Sequence, residues 1–209
     1  PNGVREIQSE AFYASYLTEI YLPNSLEIIG EYAFRCSERL SSIKVPDSVN
    51  EISKCAFADC LRLRSIQLPD RDIKYGEGIF QRCRTLEKIL LPASMETIPD
   101  RMFKDDLSLE SVIFTGDALE DVGTDWISNT SAKCYYPESN KTWTKAIINS
   151  YGNSSSWYSY TTDEEGHMWP SFGYSYEPTC TENGGIIYQC LLCDAQRVDE
   201  VYPATGHDF

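Results

Sequence analysis

The chain has 209 residues, with 18 Lys and Arg against 32 Asp and Glu, a formal net charge of −14, 42% hydrophobic residues and 8 Cys. This apolar fraction excludes a disordered chain, no apolar run reaches the roughly 18 residues of a membrane-spanning helix, and the negative charge argues against a nucleic-acid partner, whose phosphates are met by Lys and Arg. The chain opens at Pro1 with no Met and no signal-like apolar stretch, and so reads as an internal piece of a longer protein.

From the N-terminus onward the chain repeats itself. L-T-E-I-Y-L-P starts at Leu17, L-S-S-I-K-V-P at Leu40, L-R-S-I-Q-L-P at Leu63, L-E-K-I-L-L-P at Leu86 and L-E-S-V-I-F-T at Leu109, each 23 residues after the last. Late in the units stand Ala33-Phe34, Ala56-Phe57, Ile79-Phe80 and Met102-Phe103, with Ala11-Phe12 one residue out of step. A Cys follows three of these pairs, at Cys36, Cys60 and Cys83, and is expected at a repeated interior position as a small buried hydrophobe. A sixth strand is read at Ser131 to Pro137.

The alternating apolar residues of L-x-x-I-x-L-P are strand patterning. The closing Pro23, Pro46, Pro69 and Pro92 lack the N–H that a ladder needs, so each ends its strand. One such unit cannot bury its apolar side, whereas stacked units can. Stacking predicts a Phe ladder through Phe34, Phe57, Phe80 and Phe103, with rings at the roughly 4.5–7 Å spacing of favourable aromatic pairs. Three departures predict local distortion: Arg71 to Gly78, Asp106 in place of a Cys, and Thr115-Gly116-Asp117 in place of the Pro.

The consensus L-x-x-I-x-L-P-x-S-[VL]-x-x-I-x-x-x-A-F-x-x-C-x-x-L resembles the BspA-type leucine-rich repeats of bacterial and protozoan surface proteins. Pro23-Asn24-Ser25-Leu26 and Pro46-Asp47-Ser48-Val49 carry it closely, as do Ile28 or Ile29, Ile52 and Ile98, over about residues 4–137. The resemblance implies an α/β repeat fold: a right-handed leucine-rich-repeat solenoid, β-rich, in 23-residue units over 1–137. It further implies a non-enzymatic, extracellular or cell-surface bacterial protein that mediates adhesion or protein binding.

A cap helix and linker are expected over 138–166. Trp143, Ala146, Ile147 and Ile148 have helical spacing, and Tyr151 to Ser156 read as a polar turn. A small β-rich Cys/His module is expected over 167–209. Thr179-Cys180-Thr181-Glu182-Asn183-Gly184, then Cys190-Leu191-Leu192-Cys193, then Pro203-Ala204-Thr205-Gly206-His207 resemble a tandem Cys/His repeat of surface proteins of Gram-positive anaerobes; Asp194 departs from it. Cys180, Cys190, Cys193 and His207 are four candidate ligands for a structural zinc. A metal-free cluster, or a disulfide from Cys180 to one of the pair, stands level with that reading. His167 is a substitute for His207. The Cys190 to Cys193 spacing also suits a redox motif, but no β-α-β pattern surrounds it.

Only two His exist, and no hydrolase or phosphate-loop motif occurs. Binding fits the repeats better. Outward strand positions are Glu19 and Tyr21, Ser42 and Lys44, Ser65 and Gln67, Lys88 and Leu90, Ser111 and Ile113, Lys133 and Tyr135. Tyr21, Leu90, Ile113 and Tyr135 are the candidate contacts for a host or matrix protein, with the apolar stripe in the later coils. Cover of Ile113 and Tyr135 by the chain after Pro137 is the equal alternative. Trp157, Tyr158, Tyr160, Trp169, Phe172, Tyr174 and Tyr176 form an aromatic cluster suited to packing or to stacking on sugars. A carbohydrate-binding module and a spacer that displays other domains remain as further readings.

Overall fold

The computed structural model describes residues 3–152 and 155–206. In chain order the strands of the repeats are β1 (Glu6–Ile7), β2 (Ile28–Ile29), β3 (Ser42–Lys44), β4 (Glu51–Ile52), β5 (Ser65–Gln67), β6 (Lys74–Tyr75), β7 (Lys88–Leu91), β8 (Thr97–Ile98), β9 (Ser111–Phe114), β10 (Asp121–Val122) and β11 (Lys133–Pro137). Helix α1 (Lys145–Ser150) follows, then β12 (Ser156–Thr162), β13 (Met168–Pro170), β14 (Tyr174–Tyr176), β15 (Gly184–Gln189) and β16 (Gln196–Tyr202). The chain is a β-solenoid of about seven turns with almost no helix.

Each coil has three sides. The L-x-x-I-x-L-P segments form one side, as the parallel pair β3-β5 and the sheet β7-β9-β11-β12. A second side pairs β1-β2-β4-β6 and β8-β10, also in parallel. The third side is the Ala-Phe turn. There Phe12, Phe34, Phe57, Phe80 and Phe103 each donate their N–H to the next coil, at 2.7–3.0 Å. Residues two before and two after each ring take the left-handed conformation, as Tyr32 and Cys36, Cys55 and Asp59, Arg101 and Asp105 do. That conformation costs a side-chain-bearing residue about 1–2 kcal/mol. The ladder and the buried rings impose it twice per coil.

The Phe ladder forms as the spacing predicts. Phe12, Phe34, Phe57, Phe80 and Phe103 stack at 5.1–5.9 Å, and Trp126 meets Phe103 edge-on at 6.4 Å. Leu40, Leu63, Leu86 and Leu109 are fully buried beside them, and at the Ile28/Ile29 pair it is Ile29 that enters the core.

Distortion appears at one of the three expected places. Both strand ladders break between β5 and β7 and between β6 and β8, next to the irregular Arg71–Gly78 stretch. The turn side continues across the break through Gly78, Phe80 and Arg82. Asp106 causes no break. It is buried at the position that Ser37, Cys60 and Cys83 occupy in earlier coils. Cys36 is therefore misplaced by the sequence pattern. It lies one residue early, half-buried at φ 58°, while Ser37 takes the interior position and donates its hydroxyl to the Phe12 carbonyl at 2.8 Å.

The last coil is plugged by aromatic rings. Trp143 and Tyr151 flank α1, whose N-cap Thr144 accepts from the Ile147 N–H. Trp143 and Trp157 pack on Phe114 at 5.0 and 5.4 Å. The expected cap helix is thus present and short. Beyond it, the sheet itself continues, where only a linker was expected. β12 pairs with β11 in parallel, Lys133 opposite Ser156 and Pro137 opposite Tyr160. β13 then turns back antiparallel to finish the sheet. β14, β15 and β16 form a separate antiparallel sheet.

Candidate binding surface

Strand alternation points Ser42, Lys44, Ser65, Gln67, Lys88 and Leu90 outward, and all six are exposed. Tyr21 is 87% exposed and Leu90 42%. The alternation continues into β9 and β11, but the outcome there is different. Ile113 and Tyr135 are buried, at 1% and 4%, in a cluster with Tyr160. Their expected role as open contacts is corrected by this cover. Tyr158, Met168, Phe172 and Leu191 close over them. Phe172 stacks with Tyr135 at 6.4 Å and approaches Tyr158 at 4.4 Å. The Tyr160 hydroxyl donates to the Phe114 carbonyl at 3.0 Å. Burial pushes the Tyr135 phenol up to about 12.

Polar contacts seat the C-terminal segment on the same face. Lys88 Nζ donates to the Leu191 carbonyl at 3.3 Å, and the Leu191 N–H donates to Met168 at 2.9 Å. Lys133 Nζ sits 4.7 Å over the Phe172 ring, a cation–π contact. Between the solenoid face and this segment lies a cleft of about 350 Å³. Glu87, Glu110, Ser111, Tyr174 and Gln189 line it. Tyr174 and Gln189 escaped sequence reasoning as cleft walls; the alternation of Phe172, Tyr174 and Tyr176 is the signal that marks the strand of Tyr174. A second hollow of about 410 Å³ lies in the early coils, where Arg39 stacks over Tyr16 at 5.1 Å.

The aromatic cluster of the C-terminal half divides. Trp157, Tyr160 and Trp169 pack inside, and Tyr174 and Tyr176 are exposed.

Among the candidate zinc ligands, Cys180 and Cys190 are not brought together. Cys180 precedes β15 and Cys190 follows it. Six strand residues at about 3.3 Å each separate them by roughly 20 Å. His207 lies outside the described residues. His167 is held by Asp163, Nδ1 to Oδ2 at 3.1 Å. Among the described residues no group of three His, Cys, Asp or Glu side chains is arranged to hold a metal. Cys180 and Cys190, at opposite ends of β15, therefore share no metal site among the described residues.

The eight cysteines are all free thiols. Burial pushes Cys60 up to about 12 and Cys83 and Cys134 well above the ordinary thiol value, so these interior thiols are inert. Cys190 differs. Burial opposes its thiolate, but neighbouring N–H groups, among them that of Leu192 at 3.4 Å from its sulfur, hold it below the ordinary value.

Parallel coils of 23 residues, a leucine ladder and a closed aromatic end define a leucine-rich-repeat solenoid. The BspA type leucine rich repeat region matches residues 5–133, in six copies. The chain belongs to that family. A leucine-rich repeat protein from Bacteroides ovatus is similar in structure at TM-score 0.61 and 32% identity, covering 67% of this chain and 37% of its own. A T. pallidum leucine-rich repeat protein is similar at TM-score 0.54 and 25% identity, covering 74% of this chain and 81% of its own. The chain thus spans little more than a third of the Bacteroides ovatus protein. No curated protein matches it. The fold is a scaffold typically used for protein binding, and no helix among the described residues is long and apolar enough to cross a membrane.

Proposed function

We propose that the chain is a non-enzymatic adhesion or protein-binding scaffold of an extracellular or cell-surface bacterial protein. It engages a host or matrix protein through its open sheet face. The observation that carries this is the uncovered outward ladder from Tyr21 through Lys44 and Gln67 to Leu90, on the same strand as Lys88, which lines the cleft with Glu87 and Tyr174. Repeat solenoids use such extended faces for recognition. Ile113 and Tyr135 support the surface from beneath, by seating the C-terminal sheet. That sheet, on its motifs Thr179 to Gly184 and Pro203 to His207, is taken as one copy of the Cys/His repeat of anaerobe surface proteins.

The test is capture of extracellular-matrix and mucus proteins on immobilised protein, followed by affinity measurement. Tyr21→Ser with Leu90→Glu should weaken binding at least tenfold and leave the circular dichroism spectrum intact. Unchanged affinity in the double variant removes this face as the site. A glycan is the second candidate ligand, favoured by Tyr174, which is 62% exposed beside the cleft. A glycan array separates the two, and binding to sugars that Tyr174→Ala abolishes would replace the protein-binding proposal.

A further inference from the structure

We propose that Cys190 and Cys193 form a reversible disulfide that closes the turn between β15 and β16 on the wall of the cleft, by exchange with a small disulfide oxidant of the glutathione type. Three observations assemble this site. The turn that follows β15 carries Cys190 and Cys193 three residues apart at one hairpin end. The Leu192 N–H donates to the Cys190 sulfur, at 3.4 Å. Finally, the turn is anchored to the rest of the molecule through Leu191, held by Met168 and Lys88, and through the Cys190 N–H, which donates to the Ala195 carbonyl at 2.9 Å.

The two thiols differ in access. Cys193 is exposed, while Cys190 is 4% exposed and lines the cleft. That asymmetry orders the chemistry. Cys193, as thiolate, attacks one sulfur of the oxidant, forming a mixed disulfide and releasing the first oxidant thiol. Cys190 then gives up its proton and attacks the Cys193 sulfur. The Cys190–Cys193 bond forms and the second oxidant thiol leaves. Two protein thiols are oxidised, one disulfide is reduced to two thiols, and the protons lost by the cysteines end on the released thiols.

Cys60, Cys83 and Cys134 are interior, and Cys180 lies at the opposite end of β15. The pairing departs from a Cys180 disulfide, which the length of β15 forbids.

The test equilibrates the folded full chain in mixtures of reduced and oxidised glutathione, traps free thiols by alkylation and maps the peptides by mass. One internal disulfide, joining Cys190 and Cys193, should form in the wild type and in Cys180→Ser. Cys190→Ser should accumulate a mixed glutathione disulfide on Cys193. Cys193→Ser should leave Cys190 unmodified, because the oxidant then lacks an exposed point of attack. A disulfide that includes Cys180 or a repeat Cys overturns the proposal. So does closure seen only in denaturant, or stoichiometric zinc holding both thiols in the protein as purified.

Discussion

The buried Asp106 makes a sharp prediction about stability. Its position belongs to an internal ladder. The Cys60 and Cys83 thiols donate to the Phe34 and Phe57 carbonyls at 3.1 and 3.2 Å. Their sulfurs also accept from the backbone of Ser37 and Cys60 in the preceding coil. Asp106 accepts from the Cys83 N–H at 2.7 Å in the same way. It is buried, and its second oxygen, Oδ2, has no partner. Burial raises the carboxyl well above its ordinary value, against the opposing pull of the Cys83 and Arg82 N–H groups. A buried polar atom without a partner costs about 1–3 kcal/mol. Asp106→Cys removes that atom. It also leaves no orphan behind, because the Cys83 N–H donates to the Phe80 carbonyl at 3.1 Å as well.

Asp106→Cys should therefore stabilise the chain near pH 7 by about 1–3 kcal/mol. In a chain of this size each kcal/mol moves Tm by about 2–4 °C. The sign of the pH effect follows from the raised value. The folded chain holds the proton more tightly than the unfolded chain does. The neutral carboxyl's stability is fully present below the unfolded value, about 3.9. It is lost as pH rises through the raised folded value. Relative to Asp106→Cys, and to Asp106→Asn, which keeps the acceptor without the charge, the parent should gain stability as pH falls toward about 4. Urea unfolding of the three chains across that pH range measures this. A Cys variant less stable than the parent near neutral pH refutes the reasoning. Parallel pH profiles for all three refute it equally.

Other perturbations probe the rest of the molecule. Phe57, fully buried between Phe34 and Phe80 at 5.2 and 5.9 Å, should cost about 3–5 kcal/mol when truncated to Ala; denaturant unfolding without loss would show the ladder to be energetically idle. Ile113→Glu places a charge under Phe172 and Tyr160, and should release β13 and the C-terminal sheet to limited proteolysis while the early coils stay protected; a cleavage pattern like that of the parent would contradict the cover. Tyr160→Phe removes one hydrogen bond to Phe114 and should cost about 0.5–1.5 kcal/mol, read by thermal unfolding.

The period, the leucine and phenylalanine ladders, the capping helix and the outward positions of the early coils were legible in the sequence. A coil buries itself only against a copy, so the same side chain recurs at a fixed spacing wherever the stack demands it, as at Leu40, Leu63, Leu86 and Leu109. Chemistry that repeats leaves a periodic trace. Cys36 shows the limit of that trace. The conspicuous residue stood one place from the structural one, and only the turn backbone, with its left-handed residue at Cys36, turned Ser37 inward.

What tertiary structure decided lies where contacts occur once. β12 carries no repeat motif and joins the sheet because its backbone registers with β11, Ser156 opposite Lys133. Backbone hydrogen bonds leave no side-chain signature. Ile113 and Tyr135 have the same alternation as Leu90, yet they are buried because Tyr160, Phe172 and Leu191, 25 or more residues later in the chain, fold over them. The length of β15, which parts Cys180 from Cys190, likewise separates residues that spacing alone would group around a metal. Sequence determined the stack, since stacking is a local rule repeated; only the folded chain determined what covers its face.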